Sequence, residues 1–266
     1  MAAIQEHYST KFSSADGPCF PGLPDGAEPE FSLDEVLLQV SQLKRGKSTG
    51  LSGVSSELLQ EMVQVPCGLQ VVAHVVNRVI ADPASAGSAL SQGVAVLLPK
   101  LPVVRHPRFT RPIILSEVLV KLCARMCISR IQQAVAPPDN AFGGLKQRQS
   151  CDAINTVKSM VARSWAYQDS YQYVQIDLEA AYDSLRHKCI QRFLLEQAGE
   201  SHPMCCRFLS WIICTQQVTF QMWGRAWGMH MTRGTVQGGT HSPWIFSLLV
   251  AITFQALSQT WDARGE

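Results

Sequence analysis

The sequence predicts an α+β fold: helices with a small antiparallel sheet. Three observations carry that prediction. Long stretches place apolar residues at helical spacing, a few short runs have strand character, and the clearest pair of runs folds back on itself at 216–232 around Gly224. There is no internal repeat, and the lack of regular strand–helix–strand alternation argues against a doubly wound parallel sheet. With 266 residues, 46% hydrophobic and 17% charged, the chain can bury a core in one large domain or two smaller ones.

Residues 1–30 are rich in Gly, Pro, Ser and Asp and read as a loose arm. "SLDEVLLQVSQLKRG" then supplies a capping box, Ser32 with Glu35, and an apolar stripe at Val36, Leu37, Val40 and Leu43 before a glycine stop. Further helices are expected at 55–63 and 67–81. "GVAVLLPK" (93–100) is a short apolar strand ending on lysine, and "RPIILS" (111–116) a second extended piece. A long helix follows over 117–135 with Leu119, Leu122, Met126 and Ile131 inward, and Ser150 caps another through about Trp165. "YQYVQIDL" (171–178) alternates, with Val174, Ile176 and Leu178 on one face and Tyr171, Tyr173, Gln175 and Asp177 on the other, so a strand is expected there. A helix over 185–198 ends at Gly199. Ser242 and Pro243 open the last helix as N-cap and first-turn proline.

Charge and cysteine usage narrow the class. From Lys100 to Arg148 there are nine Lys or Arg against two acidic residues, a basic stretch suited to a polyanion or to a solvated surface. Nine scattered cysteines include no CxxC pair, and His202 with Cys205 finds no second pair at zinc spacing, so buried reduced thiols are expected. No N-terminal stretch looks like a signal peptide, and the longest apolar run, 244–257, is too short to span a bilayer. The expectation is an intracellular protein, nuclear or cytoplasmic, with no membrane partner and a buried final helix.

The carboxylates of "YVQIDLEAAYDSLRHKCI" (173–190) raise the question of chemistry. Asp177, Glu179 and Asp183 fall where a strand gives way to a helix, and like charges that lose water need a cation or separation. Asp177 is a hard oxygen ligand suited to Mg²⁺, which completes its shell with water and phosphate oxygens. Asp183 reads as the N-cap of the 185–198 helix, and Glu179 as exposed.

Here the residues resemble a family. "IDLEAAYDSL" (176–185) is similar to the first catalytic motif of reverse transcriptases, hydrophobic-Asp-x-x-x-Ala-aromatic-Asp. "RGTVQGGTHSPWIF" (233–246) resembles the following Gly-x-x-Gln-Gly-x-x-x-Ser-Pro-x-x-Phe motif, matching at Gly234, Gln237, Gly238, Ser242, Pro243 and Phe246. Residues 95–131 resemble the fingers segment of non-LTR retrotransposon and group II intron enzymes, with Pro-Lys, then Arg-Pro-Ile, then a Lys-Leu helix. Two further blocks, 141–154 and 43–59, fall in the family's order.

The resemblance implies a right-hand polymerase: fingers over 31–165, an incomplete palm over 166–266, and no thumb. Its chemistry is RNA-templated DNA synthesis on an RNA template and DNA primer with dNTP, using two Mg²⁺ ions about 4 Å apart. By match, Asp177 is the catalytic metal ligand, with the Leu178 carbonyl as helper. Tyr182 selects deoxyribose or is simply a core aromatic. Lys100 and Arg111 reach the triphosphate or are surface cations, while Gln237 and Gly238 lie against nucleotide and template. The pattern departs at Ser52, Gly144, Leu145 and Gln147, where the family has Asp, an aromatic, Arg and Gly.

No aromatic-x-Asp-Asp occurs in the sequence, and only Asp262 follows the last motif. The two-ion site is therefore expected to be incomplete and the chain inactive alone, with a missing palm and thumb segment as a partner. Two other readings remain: a non-catalytic RNA-binding remnant, and a degenerate reading frame without selected function.

Overall fold

The computed structural model describes residues 2–14, 26–103, 105–139, 141–143, 147–170, 172–222 and 224–264, with side chains to 260. Its contacts divide the chain into one unit of residues 1–135 with 182–242 and another of 136–181 with 243–266. These divisions cross the boundaries expected at 30 and 165.

In the first unit, α1 (Ala2–Lys11) stands where a loose arm was expected. Its Tyr8 and the following Phe12 are fully buried, and that apolar anchoring orders a segment whose composition looked unstructured. Residues 26–31 are also tied down. The buried Glu28 carboxylate accepts from the Cys205 backbone N–H (3.0 Å) and lies 3.8 Å from the Arg130 guanidinium. Arg130 sits over the Phe31 ring at 3.6 Å. His202 and Cys205 face this carboxylate, with His202 Nδ1 3.4 Å from it and the Cys205 thiol donating to it at 3.3 Å.

The helices follow the sequence closely. α2 (Leu33–Ser41) carries the Ser32–Glu35 capping box, α3 (Ser56–Met62) is capped by Ser55, and α4 (Pro66–Ala81) begins on proline. α5 (Val118–Ala134) buries Leu122, Met126 and Ile131, while Leu119 is only half-buried. α7 (Ala181–Ser184) is a single turn, reached after α6 (Ser150–Tyr167) of the second unit. α8 (His187–Ala198) and α9 (Pro203–Cys214) pack on each other, and α9 also packs on α5. Buried Cys123, Cys127, Cys205 and Cys206 lie among these helices, and burial pushes the Cys206 thiol up to about 12.

The sheet is mixed rather than antiparallel. β1 (Gln92–Pro99) pairs antiparallel with β2 (Thr110–Ser116), and its other edge takes β3 (Gln217–Met222) in parallel. β4 (Arg225–His230) returns antiparallel through Gly224, whose φ of +72° suits glycine, giving the order β2-β1-β3-β4. α9 delivers β3 alongside β1 in the same direction, a connection that sequence periodicity does not reveal. One sheet face is dry: Ala95, Ile114, Val218 and Phe220 lie under Tyr8 of α1 and the Phe12 that follows it. Tyr8 stacks on Phe220 at 5.1 Å and Phe220 on Trp227 at 4.9 Å.

The second unit differs. Residues 172–178 form no strand and have no place in the sheet order, and Tyr171 lies outside the described residues. A lone strand has no partner for its backbone donors and acceptors, and alternation cannot supply one. α6 is capped by Gln149 with Asp152 rather than by Ser150, and it has no buried residue. α10 (Ser242–Arg264) buries Trp244, Ile245, Leu248 and Ala251 near its start, while Phe254 and Leu257 are exposed, so this helix is only partly buried. Arg148 donates to the carbonyls of Pro138 and Ala141 and so ties the preceding loop. Gln147, where the resembled motif has glycine, holds a φ of +61°. Gly144 and Leu145 lie outside the described residues. Among the described residues, no helix is long and apolar enough to cross a membrane.

Candidate nucleotide site

The β1–β2 ribbon sets the site by strand alternation. With Ala95 and Ile114 turned to the core, Val96, Leu98, Arg111 and Ile113 share the opposite face, because Leu98 pairs with Arg111 and Val96 with Ile113. Val96 and Leu98 are 41% and 47% exposed, so this face is an apolar floor open to solvent. Arg111 is exposed on it, and exposed Lys100, just past the strand, donates to the Arg108 carbonyl at 3.2 Å. The sequence reading picked out the two cations and missed the floor between them, although strict alternation carried that signal.

β2 is an edge strand, and its free edge is taken by the Gln-Gly stretch. The Ile114 N–H donates to the Gln237 carbonyl at 2.8 Å. Gly238 has a φ of +106°, and a Cβ there would stand 3.1 Å from the Ile114 carbonyl oxygen. Both features require glycine. Gln237 is half-buried and Gly238 exposed, so this corner is presented beside Ile113.

The same stretch clasps the turn that carries Tyr182. Thr235 N–H donates to the Tyr182 carbonyl (2.9 Å) and Gly234 N–H to that of Leu185 (2.7 Å). Gly234 (φ +86°) leaves no room for a Cβ, which would meet the Asp183 backbone at 3.0 Å. Tyr182 is half-buried on this turn. Buried His187 bonds the Gly234 carbonyl through Nε2 at 2.8 Å, and burial holds its pKa below the ordinary value, so the ring is a neutral Nε2–H donor. No motif pointed to His187.

Asp183 is not the N-cap. That position before α8 belongs to Arg186, which makes no side-chain cap bond, because the one-turn α7 intervenes. The Asp183 side chain is 2% exposed and faces Lys11 Nζ at 2.8 Å. Gln237 Nε2 donates to both of its oxygens at 3.2 Å. A buried carboxylate needs such partners, and here α1 brings a cation from far away in sequence. Nearby His7 is held below its ordinary value by burial, then by Lys11, His106 and Lys100, with Asp183 opposing.

Residues 100–264, more than half of the chain, match the family described as reverse transcriptase (RNA-dependent DNA polymerase). The chain belongs to the reverse transcriptase family. It is also similar to the retrotransposable element SLACS 132 kDa protein of Trypanosoma brucei gambiense, 27% identical over 250 residues. That match covers 91% of this chain and 20% of the relative, so the chain spans about a fifth of that protein's length.

Within this reverse transcriptase segment, the structure brings Arg111, Gln237 and Gly238 together around β2, and joins Gln237 to the Tyr182–Asp183 turn. Asp177 and Leu178 belong to the second unit, where both are exposed. Among the described residues, no group of three or more His, Cys, Asp or Glu could hold a metal ion. One exposed carboxylate and one carbonyl do not fit a two-ion centre, which needs carboxylates from more than one segment. At the family's Asp position, Ser52 donates through its backbone N–H to Glu117 Oε1 at 2.9 Å and through its hydroxyl to Oε2, occupying that buried carboxylate.

Proposed function

We propose that the chain is the fingers and part of the palm of a retroelement reverse transcriptase. It takes an RNA template, DNA primer and dNTP along the open face of β1–β2. The observation that carries this reading is the convergence of Arg111, the Val96–Leu98–Ile113 floor and Gln237–Gly238 on one strand edge. Arg111 offers a fork of donors to phosphate oxygens and Lys100 a point charge. Gly238 lets a nucleotide approach the backbone, and Tyr182, on the turn clasped by 234–235, stands against the ribose. Asp177, with the Leu178 carbonyl, is the Mg²⁺ ligand carried by residues 166–266. Carboxylates beyond those the described residues bring to Asp177 are required before two ions can be held, so nucleotidyl transfer by this chain alone is not expected.

The exposure of Arg105, Arg108 and Arg111 favours a second reading, non-catalytic RNA binding. One set of measurements separates the two. Binding of a single-stranded RNA should weaken steeply with salt, and replacing the three arginines with glutamine should reduce the slope of log K against log salt by about 2. Primer extension with Mg²⁺ that is abolished by Asp177→Ala would show a catalytic chain. Absence of RNA binding even at low salt would overturn both readings.

A further inference from the structure

We propose that Lys11 and Asp183 are positioning residues that fix the orientation of the Gln237 carboxamide, so that the N-terminal helix α1 is part of the nucleotide site. The proposal rests on the reading of Gln237–Gly238 as a nucleotide contact and says which end of the glutamine the nucleotide meets.

A carboxamide has a donor end and an acceptor end, and an ionised carboxylate can bond only the donor end. Both Asp183 oxygens lie 3.2 Å from Gln237 Nε2, so the amino group is turned inward and Oε1 is the end left for a ligand. The ligand group that fits there is a hydrogen-bond donor, an exocyclic base amino group or a sugar hydroxyl. With 2% of its side chain exposed, the Asp183 carboxylate is held by the Lys11 ammonium at 2.8 Å, and removing that cation leaves a buried carboxylate without its ion-pair partner. Lys11 is in turn placed by packing: the Tyr8 hydroxyl bonds the Thr110 hydroxyl at 2.5 Å, and the Thr232 N–H donates to the Phe12 carbonyl at 3.0 Å. The glutamine backbone is held separately, by Ile114 on β2. One strand edge therefore sets where Gln237 stands, and α1 sets which way its side chain is turned.

The test follows the Gln237 side-chain amide by NMR in the full ¹⁵N-labelled chain, assigned by its loss in Gln237→Glu. Wild type should show a shifted amide pair that exchanges slowly with water. Lys11→Met should move it to the position of exposed glutamines, and Lys11→Arg should restore it. In parallel, dGTP affinity should fall about tenfold in Lys11→Met and stay within about twofold in Lys11→Arg. If Lys11→Met fails to fold, Lys11→Met with Asp183→Asn removes both charges. The introduced asparagine can then offer either end of its own amide, and the slow-exchange signature should still be lost. A wild-type amide pair indistinguishable from exposed glutamines overturns the proposal, as does unchanged dGTP affinity in Lys11→Met when wild type binds. Protection of the amide with no dGTP binding in wild type supports the positioning and overturns the nucleotide reading instead.

Discussion

β1 and residues 172–178 both have strand character in sequence, the first as a mostly apolar run and the second as an apolar–polar alternation, yet only one of them is a strand. β1 lies between β2 and β3, and its Ala95 is 4% exposed. Val174 and Ile176 are 75% and 62% exposed, and among the described residues 172–178 pairs with nothing. The contrast extends to the helices: α5 buries nine residues and α6 none. Alternation confers the capacity to form a strand, whereas burial and pairing partners realise it.

The largest effect should come from removing a shared partner of the paired region. Phe220 is fully buried, sandwiched between Tyr8 and Trp227, and it links α1 to the sheet. Phe220→Ala should cost about 3–5 kcal/mol in urea-induced unfolding. A loss below about 1 kcal/mol would mean that α1 and the sheet do not share a core, and β1 would lose its privileged status over 172–178.

What was legible in the sequence is what local physics decides. The Ser32 capping box, the proline start of α4, the inward stripe of α5 and the hairpin at Gly224 all depend on neighbours within a few residues. The parallel β1–β3 pairing depends on where α9 sends the chain, and no local signal encodes that. The site divides in the same way. The Gln-Gly motif marks the strand edge, because a φ of +106° and the approach to Ile114 both demand glycine. The Lys11–Asp183 pair joins residues 172 positions apart, and Asp183 was read as a cap because the single turn of α7 between it and α8 leaves no periodic trace. Local reading likewise took 1–30 for an arm, missing that Tyr8 and Phe12 find a sheet to cover.

Acid should separate the two units next. All seven histidines lie in the first unit. Burial pushes His241 down from 6.5 to about 4 and lowers His187 as well. Below pH 6.5 the unfolded chain binds protons that the folded chain refuses, so stability falls as pH drops from 6.5 towards 4 and is full above that window. For His241 the loss reaches about 3 kcal/mol near pH 4. Urea titrations at about pH 7 and pH 4 measure it, and His241→Asn should remove most of that difference. A pH dependence untouched by His241→Asn would place the acid sensitivity in carboxylates instead.

The smallest effect should fall on 172–178 itself. Val174→Ser and Ile176→Ser remove side chains that are mostly in water already, so each should change the unfolding free energy by no more than about 0.5 kcal/mol. Their effect should appear in association. An unpaired run of alternating apolar residues is a template for pairing with another chain, and a hydroxyl on its apolar face weakens that template. Sedimentation at increasing concentration should therefore show less self-association in the double variant than in wild type. If either substitution instead costs more than about 1 kcal/mol, residues 172–178 are buried against a partner strand in solution. Asp177, carried by the same run, would then stand at the end of a paired strand, where ligands from a neighbouring strand can join it.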